Sequence, residues 1–289
     1  MSLPSKQPEV AIITPFRNAA CFIDQYCLML QAQVYSNWVC LLVDDYSTDA
    51  SVSLLEPYLD KDSRFQLLHS KRNSHAQSTS GPSYPRNSAL DYVSSPLTAF
   101  CDIDDLWHPE KLAVQVNYHL SHSLAISTTA YARFQDHPSS RIFSLKVPPS
   151  SLEISSFYGP NPIPMLTVLV NTQSISHLRF KPAKHEDHIF WTEYFRGELT
   201  PRYGCVPLLL GFYRVHPHNL TSNRLLMIRW AIGVFSLLRL NSIEFCFAIS
   251  RWFISHLMST LYTLTIEPKY RLSVEELMAR PPLHAKPTL

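Results

Sequence analysis

Twice in this chain an uncharged apolar run of strand length ends directly on a group of aspartates. Trp38-Val-Cys-Leu-Leu-Val43 runs into Asp44 and Asp45, with Asp49 close behind, and Leu97-Thr-Ala-Phe-Cys101 runs into Asp102, Asp104 and Asp105. A run that is apolar at successive positions suits a strand buried on both faces, which helix-covered sheets provide. Val10-Ala-Ile-Ile-Thr14, stopped by Pro15, and Phe65-Gln-Leu-Leu68 read as further strands. Residues 21–33, 51–59 and 86–93 carry helical spacing. Alternating strands and helices predict an α/β fold with a mostly parallel sheet flanked by helices. Such sheets bind ligands beyond the carboxyl ends of their strands, so both acidic groups are expected at one sheet edge.

The rest of the chain narrows the options. An apolar content of 46%, with 12% aromatic, supports a sizeable core and excludes a wholly disordered chain. The net charge of +2 gives no basic footprint, so no nucleic-acid partner is expected. Neither a P-loop nor a Gly-x-Gly-x-x-Gly pattern occurs, and the cysteines form no Cys-x-x-Cys pair that would suggest structural zinc. The N-terminus has no apolar segment of signal-peptide type and no run is apolar enough to span a bilayer, so a cytoplasmic location is expected. Residues 125–172 mix strand-like runs such as Leu166–Val170 with Pro-rich loops. Lys184–Phe195 reads as a helix with acids near its start, and Pro207–Tyr213 as a last strand leading into Arg214 and His216.

Residues 8–223 are therefore assigned to a catalytic domain, 224–266 to an apolar helical extension and 267–289 to a loosely ordered tail. Within the extension, Arg224–Leu240 and Ile243–Leu264 are two helical patterns, the second with a narrow polar stripe of Glu244, Arg251, Ser255 and Ser259. Four arginines stand against one acid here. Two readings are open: the helices lie on a membrane surface, or they pack on the domain or on a second copy in a homodimer.

Asp102-Ile-Asp104 at a strand end can bring two carboxylates to one hard cation, Mn2+ or Mg2+, that also holds a diphosphate. Bound there, the cation would neutralise charge growing on the leaving group. From these residues alone three readings compete: a glycosyltransferase, a nucleotidyltransferase, and a non-catalytic glycan-binding protein. The second usually carries a Gly-rich loop after the first strand, and Thr14–Ala20 has no glycine. The third is favoured by loss of the acids, yet Asp102, Asp104 and Asp187 are all present. Glu186 and Asp187 also suit an ordinary helix first turn, and His216 an ordinary packed histidine.

Several longer segments carry a resemblance. They are Val10-Ala-Ile-Ile-Thr-Pro-Phe-Arg-Asn18, Gln33–Trp38, Leu42-Val-Asp-Asp-Tyr-Ser-Thr-Asp49, Pro85-Arg-Asn-Ser-Ala89, Phe100–Leu112, His185-Glu-Asp-His-Ile-Phe-Trp191 and Tyr213–Asn223. In this order they resemble glycosyltransferase family 2, inverting enzymes of the GT-A fold, many of which build bacterial surface polysaccharides. The resemblance implies a nucleotide-sugar donor, typically UDP-linked, a divalent cation, and a glycan or lipid-linked glycan acceptor at the inner face of the cell membrane. It implies a base pocket lined by Pro15, Phe16 and Arg17, with Asp45 bonding the base and Arg86 near the base or diphosphate. Asp102 would reach the ribose or the metal, Asp104 would ligate the metal, and His216 would contact metal or diphosphate. Asp187 would be the catalytic base that takes the acceptor's proton while the anomeric centre inverts. Arg17 stands where family members usually carry a Tyr that packs on the base, which leaves Phe16 for stacking.

Overall fold

The structure, a computed structural model, describes residues 8–71, 81–197, 201–216, 232–233, 235–236, 240–265 and 272–285. The first half follows the expected alternation. Strands β1 (Val10–Phe16), β2 (Trp38–Asp44), β3 (Phe65–His69) and β4 (Leu97–Phe100) pair in parallel in the order β3-β2-β1-β4, with helices α1 (Ile23–Gln31), α2 (Ser51–Lys61) and α3 (Ser83–Leu90) between them. α4 (Lys111–Ser121) follows a two-residue strand β5 (Leu106–Trp107).

Beyond β4 the pairing becomes mixed. β8 (Leu169–Asn171) runs antiparallel between β4 and β6 (Ile126–Gln135). β7 (Ile142–Lys146) folds back on β6, and β6 pairs in parallel with β9 (Tyr203–Val215), whose other edge takes β5 antiparallel. Of these antiparallel pairs only β6 and β7 form a hairpin, whose return needs no crossover helix; the others join strands far apart in the chain.

Side chains alternate between the two faces of the sheet. One face buries Val10, Ile12, Cys40, Leu42 and Ala99 against Tyr26, Leu30, Leu55 and Leu112 of α1, α2 and α4. The other buries Ile13, Leu41, Val43 and Phe100 against Ala89 of α3 and Phe190, Trp191 and Tyr194 of the helix α6 (Glu186–Gly197). A short helix α5 (Thr172–Ile175) precedes α6.

β9 begins four residues before the expected strand. Its register against β6 shifts on either side of Ala130, and Pro207, which has no N–H for a ladder, sits in the first irregularity. The backbone groups freed there are taken by the C-terminal segment: Ala285 N donates to Pro207 O at 2.7 Å, and Leu209 N to Leu283 O at 2.8 Å. This corrects the expectation of a loosely ordered tail. Within it, Ser273 and Glu276 form a capping box at the start of a further helix (Val274–Met278), and Val274, Leu277 and Ala285 are buried. Residues 272–285 thus belong to the body of the domain that 8–223 was expected to form.

The helix α7 (Ser242–Thr265) is present where the second apolar pattern was read. It turns Ala248 and Trp252 inward onto Ile189 of α6 and Phe235. Ile243, Phe247, Phe253 and Ile254 stay exposed. Most of the first pattern, Arg224–Leu240, lies outside the described residues. Among the described residues no helix is long and apolar enough to cross a membrane.

Candidate active site at the strand ends

The parallel register brings both acidic groups to the same edge, one on each side of β1. Phe16 stands level with Asp44 of β2, and Cys101 N donates to Ile13 O on the other flank. Asp45 follows the end of β2, its N–H donating to Phe16 O at 2.9 Å, and its side chain is buried. Loops after β1 and β2 are laced together: Asn18 N donates to Ser47 Oγ, Thr48 N to Asn18 Oδ1, and Ala20 N to Asp49 Oδ2.

Here one expectation fails. Phe16 is 3% exposed and packs in the core with Ala19 and Ile23, so its ring cannot stack on a base. The alternation of β1 turns Phe16 to the α1 face, and Pro15 is buried as well. Arg17 and Tyr46 are exposed at this end, as are Asn18, Thr48 and Asp49, and Tyr46 has a left-handed backbone at φ 62°.

Arg86 is the centre of the arrangement. It projects from α3 with 2% exposure and uses the two arms of its guanidinium on two carboxylates from distant parts of the chain. Nη2 donates to Asp102 Oδ1 at 2.7 Å, and Nη1 to Glu186 Oε1 at 2.5 Å. A planar fork suits such a double pairing. Burial works against its charge, but the carboxylates of Asp102 and Glu186 outweigh it and hold the guanidinium above its ordinary value. Arg86 was expected near base or diphosphate; its guanidinium is paired with Asp102 and Glu186, which engages one Asp102 oxygen.

Burial pushes the Glu186 carboxyl up to about 7; Arg86 opposes the shift and the charges of Asp187 and Asp102 add to it. Asp102 is also raised, by the surrounding protein first, although its side chain is still 36% exposed, and by Asp104 and Asp187 against the pull of Arg86. Gly81 lies beside Glu186 with φ 61°, a left-handed backbone that favours glycine.

Asp187, next along α6, is half-buried. Its Oδ2 accepts from Asn161 Nδ2 at 2.9 Å and its Oδ1 from His188 N at 2.8 Å. Its charge is felt at Asp102, which sets it near the acids that follow β4.

On the other side, Asp104 Oδ2 and His216 Nε2 are 3.0 Å apart, and both side chains are partly exposed. β5 fixes this meeting, because Leu106 pairs with Phe212 and so lays the acidic turn along the end of β9. His216 rests on Phe22, ring centroids 5.6 Å apart. Arg214, two residues before it and therefore on the same side of the strand, is 3% exposed. Its Nε donates to Asp104 O at 2.7 Å, its backbone N to Asp105 Oδ1 at 3.1 Å, and its guanidinium to Asp136 O and Gln25 Oε1. Asp105 is almost fully buried; burial, then the charges of Asp104 and Asp102, push its carboxyl well above the usual range, which suits a structural acid.

Asp104 and His216 offer an oxygen and an imidazole nitrogen that fit a divalent cation. Among the described residues no group of three or more His, Cys, Asp or Glu side chains forms a complete cage. A cation carried on a diphosphate needs few protein ligands. Asp102, expected at the ribose or the metal, pairs with Arg86 through Oδ1.

Three residues at this site were not singled out from sequence. Glu186 looked like a routine helix-start acid. Arg214 gave one signal, a cation between the apolar end of a strand and the His216 that follows it. Asn161 gave only its place between two prolines.

The profile described as "Glycosyl transferase family 2" matches residues 11–185. An uncharacterized glycosyltransferase of Haemophilus influenzae is 29% identical over 79% of this chain and 88% of its own length. The Escherichia coli protein WfgD, a UDP-Glc:alpha-D-GlcNAc-diphosphoundecaprenol beta-1,3-glucosyltransferase, is 26% identical over 74% of this chain and 80% of its own length. Among solved structures, S. aureus TarS 1-349 in complex with UDP-GlcNAc superposes with a TM-score of 0.64 at 16% identity, covering 90% of this chain and 76% of that one. The mannosyltransferase PcManGT from Pyrobaculum calidifontis, in complex with GDP-Man and Mn2+, gives 0.60 at 14% identity, covering 92% and 83%. At these identities the two structures speak for the fold, which is the GT-A fold.

Proposed function

The chain belongs to glycosyl transferase family 2, and from that premise we propose how its strand-end residues share the work of moving a sugar. The protein is a glycosyltransferase acting with a nucleotide-sugar donor; this selects one of the three readings that the sequence left open. In the reading favoured here the nucleotide lies over the ends of β1 and β2, beside Pro15, Arg17 and Asp45. The diphosphate faces Asp102 and the Asp104–His216 pair. Asp104 and His216 would hold Mn2+ or Mg2+, with Asp102 a further candidate ligand; bound there, the cation would offset the charge that develops on the leaving diphosphate. UDP is the favoured nucleotide, because WfgD is named for UDP-Glc and the TarS structure holds UDP-GlcNAc.

Asp187 is the general base. An acceptor hydroxyl is a poor nucleophile, and a carboxylate at its proton strengthens it as the bond to the anomeric carbon forms. Attack from the face opposite the diphosphate inverts that carbon. One observation carries this reading: Arg86 joins Asp102 to Glu186, the neighbour of Asp187, so a donor-side acid and an acceptor-side acid meet at one cation. The acceptor is a growing surface glycan, by analogy with WfgD, which is named for a diphosphoundecaprenol-linked sugar.

The test is release of UDP from UDP-glucose or UDP-N-acetylglucosamine with Mn2+, with water in place of the acceptor. Asp187→Asn is expected to lower turnover by about 10²- to 10⁴-fold while UDP binding stays nearly unchanged. Unimpaired turnover in that variant removes Asp187 from the role. A peripheral membrane contact through α7 is the second reading, favoured by the exposed Ile243, Phe247, Phe253 and Ile254. Flotation with anionic liposomes tests it; a full-length chain that stays with the unbound fraction sinks it, and a concentration-dependent mass would point to a homodimer instead.

A further inference from the structure

We propose that Asn161 is a positioning residue for Asp187, and that Arg251 of α7 holds the loop that carries Asn161. The inference rests on the reading of Asp187 as general base. Asn161 sits between Pro160 and Pro162, whose rings fix φ and limit the paths the loop can take. Its amide is committed at both ends. Oδ1 accepts from Ile163 N at 3.1 Å, and Nδ2 donates to Asp187 Oδ2 at 2.9 Å. Reversing the amide would set oxygen against carboxylate and nitrogen against an N–H, so the contact at Ile163 determines which end faces Asp187. The Asp187 carboxylate is thereby held from the loop side through Oδ2 and from its own helix through Oδ1. A base must meet its proton in a narrow geometry, so a donor that fixes the carboxylate's rotation bears directly on rate.

The loop is in turn held by α7. Arg251 Nη1 donates to Ser155 O at 3.1 Å, in the turn Ile154–Phe157. Its methylenes lie against Gly159, where a Cβ would come within 3.3 Å of Arg251 Cδ. Ala248 and Trp252, on the same helix, pack with Tyr158 and with Ile189 of α6. α7 therefore touches both the loop and the helix whose side chains meet at Asn161 and Asp187.

The experiment measures UDP release from UDP-glucose or UDP-N-acetylglucosamine with Mn2+, together with thermal unfolding at pH 8. It uses full-length wild type, Asn161→Ala, Asn161→Asp, Arg251→Met, the double variant Asn161→Ala/Arg251→Met, and Asp187→Asn as a control. Asn161→Ala is expected to lower kcat about 10- to 100-fold with donor KM nearly unchanged. Asn161→Asp keeps the shape but opposes two carboxylates, so it should fall below Asn161→Ala in both kcat and Tm. A residue that served packing alone would be spared by the isosteric aspartate. Arg251→Met should lower kcat by a smaller factor, and the double variant should match Asn161→Ala, because both changes act on one contact. Asn161→Asp equal to wild type in kcat and Tm overturns the role of Asn161, and additive losses overturn that of Arg251. Full activity in Asp187→Asn overturns the underlying assignment of the base, and the inference with it.

Discussion

Arg86 and Glu186 are 100 positions apart in the chain and 2.5 Å apart in space, and the same guanidinium holds Asp102 at 2.7 Å. Removing the arginine leaves a buried carboxylate without its counter-charge. Arg86→Ala is expected to cost about 3 kcal/mol, at the lower end for a broken buried pair because Asp102 is partly exposed. Urea unfolding measures it; a loss below about 1 kcal/mol would mean that solvent already screens the bridge.

The Asp104–His216 pair predicts a ligand-linked shift. UDP with Mn2+ should raise the melting temperature of the wild type, and Asp104→Ala should abolish the part that needs Mn2+. Arg214→Ala leaves both side chains in place but removes the guanidinium donor from the Asp104 carbonyl, while the backbone N–H at 214 still bonds Asp105. Removing such outer support should weaken Mn2+ binding by about 10- to 100-fold. Titration of Mn2+ into the UDP-saturated protein reads this directly, and unchanged affinity in Arg214→Ala would deny it a part in holding the turn.

Lys111 makes a pH prediction away from the site. It is fully buried, with Nζ 2.7 Å from Gln115 Oε1 and 4.0 Å from the Trp107 ring centre, and burial lowers its pKa to about 7. The unfolded chain binds this proton up to about pH 10.4, so between pH 7 and 10 the unfolded state holds more protons than the folded one and stability rises with pH. Lys111→Met has no such term. Its stability relative to wild type should be highest at pH 7 and below and should decline towards pH 10; denaturant titrations giving a flat difference would contradict the buried, neutral amine.

The C-terminal segment should be needed for stability. Deleting residues 272–289 exposes partners of Val274, Leu277 and Ala285 and leaves the Pro207 carbonyl and Leu209 N–H of β9 without their bonds. A loss of about 3–5 kcal/mol is expected from two large side chains and two hydrogen bonds. Equal melting temperatures for the truncated and full chains would show that the segment only rests on the surface.

The sequence made the first half of the fold readable because each strand there is a short apolar run with a sharp polar end. β1 to β4 were found within two residues of their bounds, and the acidic groups follow from where those runs stop. β6, β7 and β8 were less legible, since Ile126–Gln135 carries Ser, Thr and Tyr inside the sheet and its order of pairing depends on distant partners. The start of β9 was hidden by Pro207, which ordinarily argues against a strand. The tail helix had a usable sign, Ser273 three residues before Glu276, that composition alone obscured. At the site, charged residues at strand ends could be named, whereas Glu186, Arg214 and Asn161 matter through partners far away in the chain. The burial of Phe16 depends on which side of β1 faces α1, and no run of letters fixes that.

The two halves of the cleft are built differently. Asp45, Asp102 and His216 follow the ends of strands in one hydrogen-bonded sheet, whereas Asp187 is held by a proline-bounded loop that α7 in turn contacts. Under the proposed assignment a lineage can exchange that loop and helix, and with them the alcohol it glycosylates, while the grip on the nucleotide is inherited unaltered.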